Sequence, residues 1–192
     1  MTNIKSWKEF KYYVKSDLYR YMTSCTLRSF LRAYFIPGFK YTFWLRTCQW
    51  CKSTNKIVLF LFARLLLRHY SIKYGIMIPY QTSIARGLYI GHMSCIVVNS
   101  CVVIGKNVNL SQGVTIGQKN GGSREGVPVI GDAVYIAAGA KVIGKCRIGN
   151  RAVIGANAVV TSDVCENSVV VGCPAKVVSN KGSYDYVGSF FD

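Results

Sequence analysis

The sequence predicts a mainly β fold: a parallel β-solenoid of six-residue repeats preceded by an α-helical N-terminal region. Three observations carry this. Aliphatic residues recur at every sixth position through the back of the chain, apolar residues recur at helical spacing through the front, and charge is split unevenly between the two. The 192 residues include 24 Lys+Arg against 8 Asp+Glu, a formal charge of +16, and are 51% hydrophobic and 17% charged. That composition excludes a disordered chain, which needs low hydrophobicity and high charge. The length suits one domain with an appendage rather than two ordinary enzyme domains. Residues 1–75 hold 14 basic and 2 acidic side chains (+12), whereas 76–192 hold 10 and 6 (+4).

The helices come first. Ser6 followed by Glu9 has the form of a capping box, and Trp7, Phe10, Val14, Leu18 and Tyr21 continue at helical spacing. Leu27, Phe30, Leu31, Tyr34 and Phe35 form a second apolar stripe, stopped by Pro37-Gly38. A third helix is expected over 41–51 and a fourth over 56–70, where Arg64 and Arg68 lie one turn apart on an otherwise apolar cylinder. That cylinder either packs against the rest of the protein or a sister subunit, or lies on anionic lipid, which the basic front half suits. No helix-turn-helix, zinc-finger or RNA-binding signature accompanies the charge, so nucleic acid is not the expected partner. The apolar run 57–63 breaks at Arg64, well short of the ~20 residues a membrane-spanning helix needs. The N-terminus is polar and carries Glu9 and Asp17, unlike a signal peptide. A cytoplasmic protein is therefore expected, peripheral at the inner face of the cell membrane if the basic region binds lipid, with its eight cysteines as reduced thiols. Cys48 and Cys51 make a lone CxxC with no second pair and no adjacent histidine, which favours packing over zinc or redox chemistry.

The repeat follows. Ile72, Ile78, Ile84, Ile90 and Ile96 are six apart; after a two-residue slip come Ile104, Leu110 and Ile116. After a longer interruption come Ile130, Ile136, Val142, Ile148, Ile154 and Val160. Neither the helical period nor strand alternation alone generates sixes, so the repeat is a supersecondary unit. Two positions before each aliphatic sits a small or apolar residue such as Val102, Val134 or Ala152, as inward-facing alternation in a strand requires. A glycine such as Gly105 or Gly149 often follows, at a corner. Three six-residue faces make a triangular coil. The expected organisation is a basic helical region at 1–71, a solenoid at 72–178 with a protruding loop at 117–129, and a C-terminal tail at 179–192.

On the segments Ile90 to Val98, Leu110 to Gly117, Ile136 to Gly144 and Val170 to Val177, the chain resembles the hexapeptide-repeat acyltransferases, and within them the serine acetyltransferase-like branch. The resemblance covers roughly residues 72–178. It implies a left-handed parallel β-helix, against the usual right-handed crossover, acetyl-CoA as co-substrate, and a homotrimer with its cleft between neighbouring prisms.

Acyl transfer from a thioester to a hydroxyl needs a base of near-neutral pKa and a cradle for the pantetheine arm. There are two histidines. His69 lies in the basic helical stretch and reads as structural. His92 falls two residues past Ile90, at a coil corner, where the resemblance places the catalytic histidine. Gly117, Ala138, Gly139 and Ala156 are small residues against which the cofactor is expected to lie, and Lys176 is the candidate for a CoA phosphate. The polar, glycine-rich interruption at 118–129 is expected to fold over the active site, so Gln112, Arg124 and Glu125 are assigned to acceptor or loop contacts. No metal is expected, since a carbonic-anhydrase-like solenoid needs three histidines.

Two departures bear on the acceptor. The branch typically reads Asp-His where this chain has Gly91-His92, and Arg-His-Pro where it has Gly126-Val127-Pro128. Without that arginine, the expected acceptor is a hydroxyl of a lipid-linked sugar in surface polysaccharide synthesis. The alternative is L-serine or another small molecule, and a third possibility is a non-enzymatic binding module, against which His92 and the loop argue.

Overall fold

The structure is a computed structural model describing residues 4–191, so the first three residues of the expected helical region and the last of the expected tail lie outside it. Four helices come first: α1 (Trp7–Met22), α2 (Leu27–Ala33), α3 (Pro37–Ser53) and α4 (Ile57–Tyr74). Ser6 caps α1 by accepting the Glu9 N–H at 3.1 Å, and Thr26 caps α2 by accepting that of Ser29 at 3.2 Å. Pro37 opens α3 rather than merely ending α2, because a first-turn residue needs no N–H. The fourth helix is longer than its periodicity indicated. It runs to Tyr74 and is closed by Gly75 at φ 62°. Ile72 is therefore a helical residue, 75% exposed, and not the first repeat position. Its seven-residue distance from Leu65 belongs to the helix, and its six-residue distance from Ile78 is coincidence.

The remainder is a three-faced solenoid. The first face contains β1 (Ile76–Met77), β4 (Ile96–Val98), β7 (Thr115–Gly117), β10 (Lys141–Ile143) and β13 (Val159–Val160). The second contains β2 (Ser83–Ile84), β5 (Val103–Ile104), β8 (Val129–Ile130) and β11 (Arg147–Ile148). The third contains β3 (Tyr89–Ile90), β6 (Asn109–Leu110), β9 (Tyr135–Ile136), β12 (Val153–Ile154) and β14 (Val169–Val171), closed by β15 (Lys176–Ser179), which pairs antiparallel with β14. All other pairings between these strands are parallel, and Ile84, Ile90, Ile104, Ile116, Ile136, Val142, Ile148 and Ile154 are at most 1% exposed. Sixes arise because each face supplies one such residue per coil.

The register relocates the slip. Ile84 pairs with Ile104 and Ile90 with Leu110, twenty residues on, whereas Val98 pairs with Ile116, eighteen on. The two extra residues therefore lie between Ile90 and Val98, at the corner carrying His92, and not between Ile96 and Ile104. Ile96 and Val98 both point inward, at 0% and 2% exposure, so the sequence pattern alone did not separate them. The enlarged corner turns on left-handed backbone at Ser94 (φ 100°) and Cys95 (φ 53°).

A solenoid exposes unpaired backbone at its first coil, an edge that proteins must cover. Here α1 and α3 cover it. The Tyr41 hydroxyl donates to the Ile78 carbonyl at 2.9 Å and accepts the Ile78 N–H at 3.0 Å. Tyr21 does the same for Ile90, at 3.2 and 2.9 Å. Between them the fully buried Arg46 pairs with Asp17 at 2.9 Å and donates to the carbonyls of Ile84 and Ala85, each at 2.7 Å. Asp17 in turn accepts the N–H groups of Gly87 and Leu88. Gln49 serves the carbonyls of Tyr80 and Thr82. The helical region is thus a polar-keyed lid on the first coil. After β15 the tail runs back along the solenoid, with Ser183 on the Ala133 carbonyl at 2.5 Å and Arg20 on that of Gly188 at 3.0 Å. All eight cysteines are free thiols. Among the described residues no helix is long and apolar enough to cross a membrane.

Candidate active site

His92 stands on the enlarged corner between the third and first faces, exposed, and its imidazole makes no hydrogen bond or ion pair among the described residues. Behind it the α3 N-terminus packs tightly on β3: a Cβ on Gly38 would lie 2.1 Å from the Ile90 carbonyl oxygen. The same corner of successive coils is stacked below it by main-chain bonds. Gly113 donates to the Ser94 carbonyl, Gly139 to that of Gln112, and Asn157 to that of Ala138, each at 2.9 Å. His92, Gln112, Ala138-Gly139 and Ala156 therefore lie along one prism edge, about 4.8 Å apart per coil.

This stacking consumes the corner carbonyls but leaves donors. Among the described residues the N–H groups of Gln112, Ala138 and Ala156 take no hydrogen bond, giving one free donor per coil on the His92 edge. Gly139 (φ 73°) sits where the Asn157 side chain fills the space: a Cβ there would lie 2.0 Å from its Oδ1. The Lys141 ammonium, pointing out of the first face, donates to the carbonyls of Gly113 (2.5 Å) and Gly139 (2.9 Å). Sequence reasoning missed Lys141, since its position marks it only as an outward residue beside the corner. At the bottom of the edge Gly172 turns the chain, Ala175 donates to the Val159 carbonyl at 2.9 Å, and Lys176 pairs in register with Val171 and is exposed.

Gly117, Arg124 and Glu125 are placed elsewhere. They border the opposite edge of the first face, where the loop leaves β7 and folds on itself through paired bonds between Lys119 and Gly126 at 3.0 and 3.1 Å. Arg124 reaches Asp163 at 3.3 Å with both side chains about half exposed or more, a contact worth little in water. The Asp163 carboxyl is held below its usual range, chiefly by the Arg147 N–H, and further by the charge and hydrogen bond of Arg124. The Glu125 carboxylate has no partner among the described residues. Within one chain the histidine and the loop thus stand on opposite edges of the same face. His69 is exposed on α4 against Tyr70, and burial pushes the Cys48 thiol up to about 12, away from nucleophilic use. A cleft of about 420 Å³ between α4 and the first coil includes none of the expected site residues.

The fold and the site thus combine a three-faced parallel solenoid with a corner histidine above a row of free main-chain donors. Residues 128–162 match the family described as bacterial transferase hexapeptide (six repeats). A serine acetyltransferase of Staphylococcus aureus (strain Mu50) is 43% identical over 120 residues, 62% of this chain and 54% of the relative. Among solved structures, a Neisseria gonorrhoeae serine acetyltransferase in complex with serine superposes with TM-score 0.73 at 30% identity, covering 91% of this chain and 71% of that one. A Brucella abortus serine acetyltransferase in complex with coenzyme A gives TM-score 0.76 at 26% identity, covering 92% and 70%. The chain belongs to the hexapeptide-repeat acyltransferases, in their serine acetyltransferase-like branch, and its solenoid is the left-handed β-helix of that branch. It spans about half the length of the curated relatives it matches. The expectation of a sugar acceptor in polysaccharide synthesis is overturned: the relatives and structural neighbours are serine acetyltransferases. That expectation rested on two missing side chains, which are weaker evidence than similarity over 120 residues and the whole solenoid.

Proposed function

We propose that this protein is an acetyl-CoA-dependent O-acetyltransferase whose acceptor is L-serine and whose general base is His92. The observation that carries the reading is the single edge holding an unengaged imidazole over three free main-chain donors. Carbonyl oxygens of a pantetheine arm fit donors spaced one coil apart, which places the thioester at the top, beside His92. Lys176 at the foot of the edge suits a CoA phosphate. A neutral imidazole accepts the serine hydroxyl proton as that oxygen attacks the thioester carbon. The tetrahedral adduct expels the CoA thiolate, which takes the proton back from the imidazolium.

The acceptor needs a cation for its carboxylate and an anion for its ammonium. Arg124 and Glu125 supply that pair from the loop, Arg124 by giving up its weak contact with Asp163. Because the loop lies across the first face from His92, a neighbouring chain's loop completes each site, which makes the protein a homotrimer. The test is release of free CoA from acetyl-CoA with L-serine, L-threonine and L-homoserine side by side. Saturable turnover that favours serine supports the reading, and no turnover of serine sinks it. Arg124→Met and Glu125→Gln should raise the KM for serine at least tenfold and leave that for acetyl-CoA within twofold.

A further inference from the structure

Helix α4 turns Ala63, Leu67 and Tyr74 inward, yet on its opposite side Val58, Leu65 and Ile72 are 84%, 69% and 75% exposed. Leu61 and Phe62 stand beside them, each more than half exposed. At about 100° per residue these five fill one sector of the helix roughly 100° wide. Exposed cations border that sector on both sides, Arg64 and Arg68 along one edge and Lys73 along the other. Among the described residues none of the three cationic side chains has a hydrogen bond or an ion pair. We propose that this face of α4 docks on the surface of an anionic phospholipid bilayer, with the helix axis in the plane of that surface. The proposal rests on neither the acceptor nor the shared site.

Charge identifies the occupant. Between Asp17 and Glu125 the sequence has 14 Lys+Arg and no Asp or Glu. A second copy meeting this side brings like charge, whereas an anionic surface is complementary to it. The placement of the cations fits lipid. Long cationic side chains at both borders of an aliphatic stripe keep their heads at the level of the phosphates while the stripe sinks among the acyl chains. The arrangement recurs on and just after α2, where Leu27, Leu31 and Phe35 are 75%, 56% and 80% exposed beside the exposed Arg28 and Arg32. Lys40 joins the two stripes: its ammonium lies 5.7 Å from the Phe35 ring and 5.6 Å from the Tyr70 ring of α4. Two neighbouring apolar stripes, each bordered by cations, match a partner that is anionic and apolar over a wide area. A bilayer is such a partner, and an acidic polypeptide, with its charges and apolar groups at fixed points, is not.

The experiment is co-sedimentation of the full chain with vesicles of phosphatidylglycerol and phosphatidylcholine in equal parts, and with vesicles of phosphatidylcholine alone. Far-UV circular dichroism, light scattering and CoA release without vesicles are recorded for every variant. The wild type should partition onto the anionic vesicles at least tenfold better than onto the neutral ones. It should lose most of that advantage at about 0.5 M salt, where the Debye length is about 4 Å. V58E/L65E, at two largely exposed positions, should lower the partition at least tenfold with helix signal, mass and CoA release unchanged. R64Q/R68Q, which adds no charge to the stripe, should lower it roughly tenfold, the worth of two cations at an anionic surface after screening. K106Q/K181Q removes as much charge from exposed positions on the solenoid and the tail and should change it less than twofold. No binding to either vesicle, equal binding to both, or a V58E/L65E chain that binds like wild type overturns the proposal. An equal loss in K106Q/K181Q also overturns it, because net charge alone then suffices. So does a V58E/L65E chain that loses vesicle binding together with assembly mass, because that assigns the stripe to a contact between copies. CoA release is read without vesicles, so failure of the serine reading and failure of the lipid contact are distinguished.

Discussion

Arg46→Met is expected to be among the most destabilising substitutions in the chain. The guanidinium is 0% exposed and holds Asp17 at 2.9 Å, Gln49 at 3.3 Å and two first-coil carbonyls at 2.7 Å. Removing it leaves a buried carboxylate with only the N–H groups of Gly87 and Leu88, and leaves the Ala85 carbonyl without its donor. Breaking a buried ion pair costs about 3–5 kcal/mol, and an orphaned buried carbonyl about 1–3 more, with some overlap. A total near ~5 kcal/mol corresponds, at about 2–4 °C per kcal/mol for a chain of this size, to a fall in Tm of roughly 10–20 °C. Thermal unfolding followed by circular dichroism reads it directly. Adding Asp17→Leu should recover part of the loss by removing the unpaired charge, although Gly87 and Leu88 then lose their acceptor. A fall in Tm under about 3 °C for Arg46→Met would refute the reasoning, because α1 and α3 would then rest on the first coil without sealing its backbone.

Three further outcomes are expected. His92→Ala should lower turnover by roughly 10²–10⁴ and leave Tm nearly unchanged, since the exposed imidazole makes no hydrogen bond or ion pair among the described residues; a variant keeping more than about a tenth of the rate, with chemistry limiting, removes His92 as the base. Burial pushes the Tyr41 hydroxyl up to about 12 against an unfolded value near 10, so its share of stability is complete below about pH 10 and is lost as pH rises toward 12, by up to about 3 kcal/mol. Urea unfolding between about pH 9 and 11.5 should show that decline, and Tyr41→Phe should flatten it; an unchanged slope would contradict the assignment. Gly139→Ala forces a side chain into left-handed backbone and against Asn157, so the KM for acetyl-CoA should rise at least tenfold, whereas Gly188→Ala, where a Cβ meets nothing within 4 Å, should be silent.

How much of this was legible in the sequence depended on how local each signal is. The six-residue register is local, because each coil repeats one inward position per face, and it located the solenoid and the His92 corner. Its errors came where two local patterns coincide: Ile72 satisfies a helix and the sixes at once, and Ile96 and Val98 are both aliphatic and both buried. The lid on the first coil was invisible, since Asp17 and Arg46 are brought to Ile84–Leu88 only by folding, and nothing in their sequence neighbourhood marks them. The free N–H groups of Gln112, Ala138 and Ala156 are main-chain features without a side-chain signature, although small residues mark two of them. Lys141 is silent for a different reason: its position marks it only as an outward residue beside the corner, and its carbonyl partners at Gly113 and Gly139 are set by the stacking of coils. The sugar acceptor expected from Gly91 and Gly126-Val127 fails against the relatives because two absent side chains are a local signal, weaker than similarity over 120 residues.

The most direct test of the shared site mixes two inactive chains. His92→Ala supplies an intact loop, and Arg124→Met/Glu125→Gln supplies an intact histidine; each alone should release little CoA with serine. Co-expressed in equal amounts and purified as one assembly, they should regain about a quarter of the wild-type rate, the chance that an intact histidine meets an intact neighbouring loop in randomly formed trimers. Activity no greater than the sum of the two parents would mean that histidine and loop serve the same site from one chain, and would contradict the account.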